Sequence, residues 1–367
     1  MLLLKNVFSY CHLIAFFSAL ILCILLIFWH KPVKGYCGSD EKEQDSHNNP
    51  TSRYGGVAIV LALGIIFLSG GCSAIFISET NLTIITLGLL VFIVGLADDL
   101  SGHISPILRT VAVVALAALA GSEIGWLSST NIEMVDGIVG DNTWLAAVLT
   151  LVGVVGLTNS FNLIDGLNGL CAGTTITVLL VLSYIATVLG HFELVQMYSL
   201  IAFCTLGFSF LNFPFGKIFL GDGGAYFLGF VVAQGCIFLN SLGGDVSSWV
   251  FILMCIYPIW ETIFSMWRRL WSGSSWSVAD RGHLHTVVYD LVLTLRYGQK
   301  SANKTLVNSL VSTVCLIFPI ISGVLSILFY NNTIALQISC VTMILVYVVS
   351  YYLASNYLRS RSLLVDR

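Results

Sequence analysis

The sequence predicts an all-α, polytopic integral membrane protein that crosses the bilayer about 11 times and forms one membrane-embedded domain over residues 1–367. Two observations predict this fold class. Hydrophobic residues make up 57% of the chain and charged residues only 10%, whereas a soluble domain carries about 25% charged residues. Apolar runs close to the length of about 20 residues that crosses a bilayer also recur along the chain.

The predicted spans follow one another in chain order and are separated by polar loops or loops rich in glycine and proline. The first run is long enough to remain as a span, and it lacks the basic start and the small-residue cleavage site of a signal peptide. The predicted spans are 8–29, 55–77, 82–97, 106–121, 143–160, 171–190, 197–213, 224–242, 246–266, 305–328 and 332–355.

The charges of the loops predict that the N-terminus lies outside and the C-terminus in the cytoplasm, because loops rich in Lys and Arg stay on the cytoplasmic side. With eleven spans, every Lys and Arg except Lys5 falls on one side, and the opposite loops carry Asp and Glu. The predicted cytoplasmic loops are about 30–54, 98–105, 161–170, 214–223 and 267–304. The last of these loops is large enough to form a lid or a small amphipathic element.

The ten cysteines do not indicate a disulfide framework, and the chain has no CxxC pair. Most of them, including Cys11, lie within or at the ends of predicted spans. A thiol in such a place behaves as a small apolar side chain.

Three predicted spans carry an acidic motif at the cytoplasmic end. Ionisable groups at membrane depth are costly, so they are more often functional than incidental. Two adjacent carboxylates repel each other unless a cation neutralises them. Oxygen donors without a His or Cys cluster suit Mg²⁺ or Mn²⁺ as that cation. The motifs are GLADDL with Asp98 and Asp99, NSFNLIDGLNGL with Asn159, Asn162, Asp165 and Asn168, and FLGDGG with Asp222.

The motif DRGHLH places Arg281, His283 and His285 in the last cytoplasmic loop. Cationic side chains this close together can bind a diphosphate, because a guanidinium pairs with phosphate oxygens. Glycines beside the acids, such as Gly221 and Gly223, also let backbone N–H groups approach a phosphate. A metal, a diphosphate site and a surrounding bilayer together indicate one charged substrate from water and one substrate from lipid.

Seven motifs in chain order resemble those of the polyprenyl-phosphate N-acetylhexosamine-1-phosphate transferase superfamily, of the glycosyltransferase family 4 type. They are PTSRYGG (50–56), GLADDL (95–100), SPILR (105–109), NSFNLIDGLNGL (159–170), NFPFGKIFLGDGGAYFLGF (212–230), YPIWETIFSMWRRL (257–270) and DRGHLH (280–285). The resemblance implies transfer of a sugar 1-phosphate from a UDP-N-acetylhexosamine to undecaprenyl or another polyprenyl phosphate, with release of UMP. N-acetylglucosamine is the favoured sugar.

The resemblance also implies a setting for the reaction. We expect a multi-pass protein of the bacterial inner (plasma) membrane with a cytoplasmic active site, acting in the first membrane step of a cell-envelope polysaccharide such as the O-antigen of lipopolysaccharide. The expected partners are the UDP-sugar, the polyprenyl phosphate lipid and the membrane, and no nucleic acid. A homodimer is left open.

Carried onto this chain, the resemblance implies that Asp222 is the leading Mg²⁺ (or Mn²⁺) ligand and Asn162 a second ligand. It implies that Asp98 and Asp99 position or deprotonate the lipid phosphate, and that Asp165 supports the site of the nucleotide and the metal. The other substrate-binding residues that it implies are Arg281, His283, His285, Asn159, Asn168 and Lys217. A phospho-enzyme intermediate and direct attack by the lipid phosphate both fit the family. Direct attack is favoured because the acceptor is already an anionic nucleophile.

Several residues depart from the family pattern, and they concern sugar specificity more than reaction class. Asn168 stands where bacterial members commonly have Asp, so it cannot act as a general base. Ala225 replaces a Ser, Thr286 replaces a His, and Glu261 stands where Asp is frequent. Glu261 is expected to pair with Arg268, which lies near the same helix face.

Other interpretations stay open from the sequence alone. Asp98 and Asp99 could form a solvated helix end, and His283 and His285 could be interfacial loop residues. An ion-coupled transporter could bind cations at the acids, but that class predicts acids at mid-span and broken helices related by a repeat. A CDP-alcohol phosphotransferase would need a DGxxAR-type motif, which the sequence lacks.

Overall fold

The computed structural model describes residues 10–29, 51–69, 78–140, 142–273, 282–297 and 303–365. The regular structure of these residues is helical, apart from one isolated parallel bridge between Ser52 and Ile218. The all-α prediction is therefore confirmed. The helices are α1 (Tyr10–Trp29), α2 (Gly55–Leu68), α3 (Glu79–Ser101), α4 (Pro106–Ile124), α5 (Glu133–Gly140), α6 (Thr143–Leu163), α7 (Leu170–Val188), α8 (Phe192–Asn212), α9 (Gly221–Ser241), α10 (Trp249–Met254), α11 (Ile256–Ser272), α12 (Leu284–Tyr297), α13 (Lys304–Leu328) and α14 (Thr333–Val365).

Nine helices in the described part of the chain are long and apolar enough to cross a membrane, which agrees with a polytopic membrane protein. They correspond to nine of the predicted spans and are α1, α3, α4, α6, α7, α8, α9, α13 and α14. The span predicted over 55–77 is represented by α2, which ends at Leu68, and residues 70–77 lie outside the described ones. The total number of spans and the orientation remain predictions.

The span predicted over 246–266 is not one continuous helix. Cys255 separates α10 from α11 and has φ −101° and ψ 11°. Pro258 has no backbone N–H to donate, and its ring would clash with the carbonyl of Met254 in a continuous helix. The chain therefore breaks before Pro258 and restarts as α11. In the predicted loop 267–304, the expected small helical element is present as α12.

Helix α9 is the central helix of the bundle and contacts α2, α3, α6 and α7. Residues on all of its faces are buried, as expected for a helix that is apolar around its whole circumference. The packing around it is closest at its first turn. A Cβ atom on Gly56 would lie 2.6 Å from the backbone N of Gly224, and one on Gly95 would lie 2.6 Å from the Cα of Gly223. Because only hydrogen fits at these contacts, α2 and α3 meet α9 backbone to backbone.

Helices α3 and α6 end, and α9 begins, at the same end of the bundle. Gly102 ends α3 in the left-handed conformation, with φ 65°. Ser105 then caps α4 by accepting a hydrogen bond from the backbone N–H of Leu108. The acids of all three motifs consequently lie at one end of the bundle.

The first helix starts at the opposite end of the bundle. His12 Nε2 lies 2.9 Å from Ser199 Oγ, near the start of α8, and α8 ends at Asn212, on the acidic side. Cys11 is disulfide-bonded, so the prediction that its sulfur is an apolar thiol is wrong. The free cysteines among the described residues are buried as predicted, and they are Cys23, Cys171, Cys204, Cys236, Cys255, Cys315 and Cys340.

Candidate active site

Asp98, Asp99 and Asp222 form one cluster in which each carboxylate has a defined partner. Arg109 Nη1 lies 2.7 Å from Asp98 Oδ2 and also contacts Asp222 Oδ2. A single guanidinium therefore bridges the acid at the end of α3 and the acid at the start of α9. Asp98 Oδ1 additionally accepts the backbone N–H of Ile104 at 3.0 Å, which fixes the turn between α3 and α4.

Asp99 caps the first turn of α9. Its two carboxylate oxygens accept the backbone N–H groups of Asp222, at 3.0 Å, and Gly223, at 2.9 Å. These N–H groups have no partner within their own helix, and a negative charge here also complements the helix dipole. Asp99 thus determines where Asp222 lies, and a solvated helix end does not describe this pair.

A cavity next to the cluster is lined by two of the acidic motifs, NSFNLIDGLNGL and FLGDGG. The third motif, GLADDL, adjoins it through the contacts of Asp99 with the backbone of Asp222 and Gly223. Its walls come from the turn between α6 and α7 and from the segment between α8 and α9. The residues that line it are Arg53, Asn162, Asp165, Gly166, Leu167, Asn168, Asn212, Phe219, Gly221 and Asp222. Carboxylate and amide oxygens face one shared space, which is the arrangement expected if the motifs act together.

Asn212 holds the two walls of the cavity together. Its Oδ1 accepts the backbone N–H of Gly169 at 2.6 Å, and its Nδ2 donates to the carbonyl of Ile218 at 2.8 Å. Gly169 has φ +81°, a left-handed conformation that favours glycine, and the ring of Phe213 lies against it. Asn168 donates its backbone N–H to Asn308 Oδ1 at 2.8 Å.

The Asn168 side chain has no such internal role. Both of its amide atoms are buried and lack a hydrogen-bond partner among the described residues, and the residue is 2% exposed. A buried amide without partners costs free energy unless a ligand or water completes its hydrogen bonds. Its position in the cavity wall fits the predicted role in binding substrate.

Two predicted substrate-binding residues lie elsewhere. Asn159 Oδ1 accepts a hydrogen bond from the Tyr226 hydroxyl at 3.1 Å, and the Arg109 guanidinium lies 5.9 Å from the centroid of the Tyr226 ring. Asn159 therefore supports the acidic cluster indirectly, through Tyr226 and Arg109. Lys217 lines a separate cleft between α1 and α13, with its Nζ 5.3 Å from the centroid of the Phe215 ring.

The histidine motif reaches the cavity wall from the other side. His283 and His285 are buried, which rules out the interpretation as interfacial loop residues, and their rings are stacked with centroids 5.4 Å apart. The Nε2 of His285 lies 3.1 Å from the position that a Cβ atom on Gly166 would occupy. Gly166 follows Asp165 in the chain, so His285 packs against the turn that carries this acid. Arg281 lies outside the described residues.

Glu261 does not make the predicted ion pair with Arg268. Its Oε1 instead contacts His283 Nδ1 at 3.1 Å and accepts the backbone N–H of Leu284 at 2.9 Å. The Arg268 guanidinium lies against Gly282, where it leaves no room for a Cβ atom. The prediction used only the spacing of the two residues within one helix, whereas the structure pairs each with the segment before α12.

Sequence reasoning missed Arg109, Asn212 and Tyr226 as parts of the site. The sequence prediction places Arg109 in a cytoplasmic loop and in the SPILR motif, without a role in the site. Ser105 and Pro106 predict the start of a helix soon after the acidic pair. Arg109 lies in the first turn of that helix, close enough in the chain for its side chain to reach back to the acids. Asn212 and Tyr226 flank the GDGG turn within the NFPFGKIFLGDGGAYFLGF motif, and neither has a charge that would indicate a role in the site.

The donor set of the cavity is compatible with Mg²⁺ or Mn²⁺. Asp222, Asn162 and Asp165 offer hard oxygen donors, which these ions prefer. No group of three His, Cys, Asp or Glu side chains among the described residues has the spacing of a metal site. The residues therefore fit an ion held by one or two protein carboxylates and completed by substrate oxygens and water, rather than an ion enclosed by protein.

Fold and site together define a multi-pass membrane protein with an acidic, asparagine-lined cavity at one end of its helical bundle. The chain belongs to the family of polyprenyl-phosphate hexosamine-1-phosphate transferases: the profile of glycosyl transferase family 4 matches residues 81–240, and relatives of that activity match over about two thirds of the chain. The matched region of the profile contains the three acidic motifs, while Glu261 and the histidines lie beyond it.

Three relatives illustrate the similarity. A probable undecaprenyl-phosphate N-acetylglucosaminyl 1-phosphate transferase of Bacillus subtilis (strain 168) is 31% identical over 252 residues, which are 65% of this chain and 66% of the relative. A decaprenyl-phosphate N-acetylglucosaminephosphotransferase of Mycobacterium leprae (strain TN) is 30% identical over 271 residues, 66% of this chain and 68% of the relative. An undecaprenyl-phosphate alpha-N-acetylglucosaminyl 1-phosphate transferase of Salmonella typhi is 26% identical over 261 residues, 68% of each. The chain thus spans about two thirds of the length of these relatives.

Proposed function

We propose that this protein transfers N-acetylglucosamine 1-phosphate from its UDP derivative to a polyprenyl phosphate in the presence of Mg²⁺ or Mn²⁺, with release of UMP. The observation that carries the proposal is that two acidic motifs line one polar cavity and the third, GLADDL, binds the backbone of Asp222 and Gly223 at its edge. Family membership supports the reaction class, and the names of the relatives favour N-acetylglucosamine as the sugar. The same membership argues against the ion-coupled transporter.

In the proposed reaction, a phosphate oxygen of the lipid attacks the phosphorus that carries the sugar. A new P–O bond forms, the bond from this phosphorus to the bridging oxygen of the diphosphate breaks, and UMP leaves with that oxygen. The bond between the sugar and its phosphate is kept, so the product is a polyprenyl diphosphate sugar. Because both reactants are anions, the site must chiefly align them and neutralise their charge.

The acids and the arginine divide this task. Asp222 and Asn162 are the proposed metal ligands, and Asp165, in the same cavity, supports them. A bound Mg²⁺ would supply positive charge to the diphosphate oxygens. Arg109 keeps Asp98 and Asp222 together, and the role of Asp98 in aligning or deprotonating the lipid phosphate rests on the family resemblance.

The amides of the cavity are assigned to the nucleotide sugar. Asn168 offers one acceptor and two donor hydrogens that no described residue uses. Asn212 hydrogen-bonds to both the Gly169 turn and the segment before α9. These two bonds fix the distance between the two walls of the cavity. The role of Lys217 in substrate binding rests on the family resemblance alone.

The active site is assigned to the cytoplasmic side of the inner membrane, where UDP-sugars are made. The excess of Lys and Arg in the loops at this end supports the assignment. The disulfide at Cys11, at the opposite end of α1, also supports it, because disulfides persist in oxidising compartments and are rare in the cytoplasm. The product would then be extended by sugar transferases acting on a lipid-linked diphosphate, as in the synthesis of a cell-envelope polysaccharide such as O-antigen.

The proposal is tested with the purified protein in lipid nanodiscs. Polyprenyl phosphate is supplied together with UDP-N-acetylglucosamine, UDP-N-acetylgalactosamine or UDP-glucose, with Mg²⁺, with Mn²⁺ or with EDTA. We expect UMP and a lipid-linked diphosphate sugar in equal amounts, with UDP-N-acetylglucosamine as the best donor and no product in EDTA. Absence of UMP with every donor would reject the function, and product formation in EDTA would reject the metal.

A further inference from the structure

Glu261 is a buried carboxylate that holds the segment preceding α12. It lies in α11 and is 1% exposed. Its Oε1 lies 3.1 Å from His283 Nδ1 and accepts the backbone N–H of Leu284 at 2.9 Å. An ionised carboxylate can only accept hydrogen bonds, so this contact is a hydrogen bond in the tautomer of His283 that carries a proton on Nδ1. Glu261 therefore fixes both the position and the protonated nitrogen of this ring.

His283 transmits this constraint to His285. The two rings are stacked with an interplanar angle of 4°. His285 is 4% exposed and lies over Gly166, where a Cβ atom would come within 3.1 Å of its Nε2. A continuous series of contacts thus runs from Glu261 through the two histidines to the turn that carries Asp165.

Arg268 anchors the same segment one residue earlier. It lies seven residues after Glu261 in α11, close to the same face of the helix, and its guanidinium packs on Gly282. Glu261 and Arg268 therefore contact consecutive positions of the histidine motif. A buried carboxylate is costly compared with an apolar side chain of similar volume, which gives a reason to look for a role beyond stability.

We propose that Glu261 is a positioning residue for the transfer reaction, holding His283 and, through it, His285 against the Asp165 turn. This inference rests on the proposed function. It concerns a residue outside the region that the family profile matches. It predicts that loss of the carboxylate impairs use of the nucleotide sugar, whose diphosphate the histidines would contact, more than use of the lipid phosphate.

The test compares Glu261→Ala, Glu261→Asp, His283→Ala and the double variant Glu261→Ala/His283→Ala in nanodiscs, with kcat and both KM values measured. We expect Glu261→Ala to lower kcat/KM for the UDP-sugar by about 10- to 100-fold, with the KM for polyprenyl phosphate changed by less than about twofold. Glu261→Asp should recover most of the loss. In the double variant, the effect of Glu261→Ala should shrink to less than about twofold, because its partner is already absent.

Thr262→Val is the matched control, because it removes a partly buried hydrogen bond to Ser160 from the neighbouring position of α11 without touching the histidines. It should leave both KM values within about twofold of wild type. Equal losses for the two substrates, or additive losses in the double variant, would show that Glu261 is only a structural residue and overturn the inference. If the wild-type protein releases no UMP, the proposed function fails and the inference fails with it; an active wild type with an unaffected Glu261→Ala rejects the inference alone.

Discussion

The carboxylate of Asp99, at the end of α3, accepts hydrogen bonds from the backbone N–H groups of Asp222 and Gly223, in the first turn of α9. The first turn of α9 is therefore capped by a residue of another helix, which lies more than 120 residues earlier in the chain. Asp99 positions Asp222, the proposed metal ligand, by binding its backbone N–H rather than its side chain. The two acids of the GLADDL motif consequently have different tasks, although they are neighbours in the sequence.

Asp99→Asn should lower both turnover and stability. An amide can accept only through its one oxygen, so one of the two N–H groups loses its partner and the charge at the start of α9 is removed. The loss of such a cap costs about 1 kcal/mol, and a shift of Asp222 should reduce kcat by about 100-fold. Thermal unfolding and UMP release measure the two effects. Turnover close to wild type would remove Asp99 from the site.

Asp222→Asn should lower turnover by about 100-fold or more without unfolding the protein, because it removes a charge on which the proposed metal depends. The Mg²⁺ concentration for half-maximal rate should rise as well. Asp245→Asn is the matched control, since Asp245 is an exposed acid just beyond the other end of α9. An unchanged Mg²⁺ dependence in Asp222→Asn would contradict the assignment of this residue as a ligand.

We expect Arg109→Lys to retain more transferase activity than Arg109→Ala. Arg109→Ala leaves Asp98 and Asp222 without the cation between them, so the acids should repel and kcat/KM should fall by about 100-fold. Arg109→Lys keeps the charge but loses the planar fork that reaches both carboxylates, and a loss of about tenfold is expected. UMP release at several Mg²⁺ concentrations tests this order. Equal activity of the two variants would argue that the bridge has no role in the reaction.

His285→Ala should raise the KM for the UDP-sugar while leaving membrane insertion intact. The ring lies over the turn that carries Asp165, so its loss should affect the donor site first. Steady-state kinetics with each substrate varied in turn measures the effect, and the amount of folded protein extracted from membranes serves as the control. Unchanged donor kinetics would exclude His285 from substrate binding.

Gly56→Ala should lower the stability of the folded protein by disturbing the contact between α2 and the first turn of α9. A methyl group there would collide with the backbone of Gly224, and such overpacking costs about 1–3 kcal/mol. Gly64→Ala, in the same helix, is the ideal comparison, because nothing lies within 4 Å of its Cβ position. We expect a lower melting temperature and reduced turnover only for Gly56→Ala. If both variants behave alike, the close contact between α2 and α9 is not required.

The gathering of Asp98, Asp165 and Asp222 at one end of the bundle could be predicted from the sequence, because each acid stands at the end of an apolar run and charges are costly at membrane depth. What each acid contacts could not be predicted. Whether a carboxylate faces a metal, a guanidinium or a backbone N–H depends on distances between helices that are far apart in the chain.

Other features have a signal in the sequence that hydrophobic length and loop charge do not use. Pro258 predicts a break in the span over 246–266, whereas hydrophobic length alone predicts a continuous span. Arg109 belongs to the SPILR motif, but its charge alone does not distinguish it from the loop cations that serve orientation. Glu261 and Arg268 have the spacing of an intrahelical pair, and their common partner, the segment before α12, belongs to a different part of the chain.

The glycine contacts of α2 and α3 with the first turn of α9 restrict how this enzyme could be altered. Gly56, Gly95 and their partners leave no volume for a larger side chain, so selection for a new donor sugar would have little to vary along that seam. Attempts to redesign preference for the proposed donor should instead randomise Asn168, which lines the cavity, and His285, which packs on Gly166 of the cavity wall, because side chains rather than backbone make these contacts.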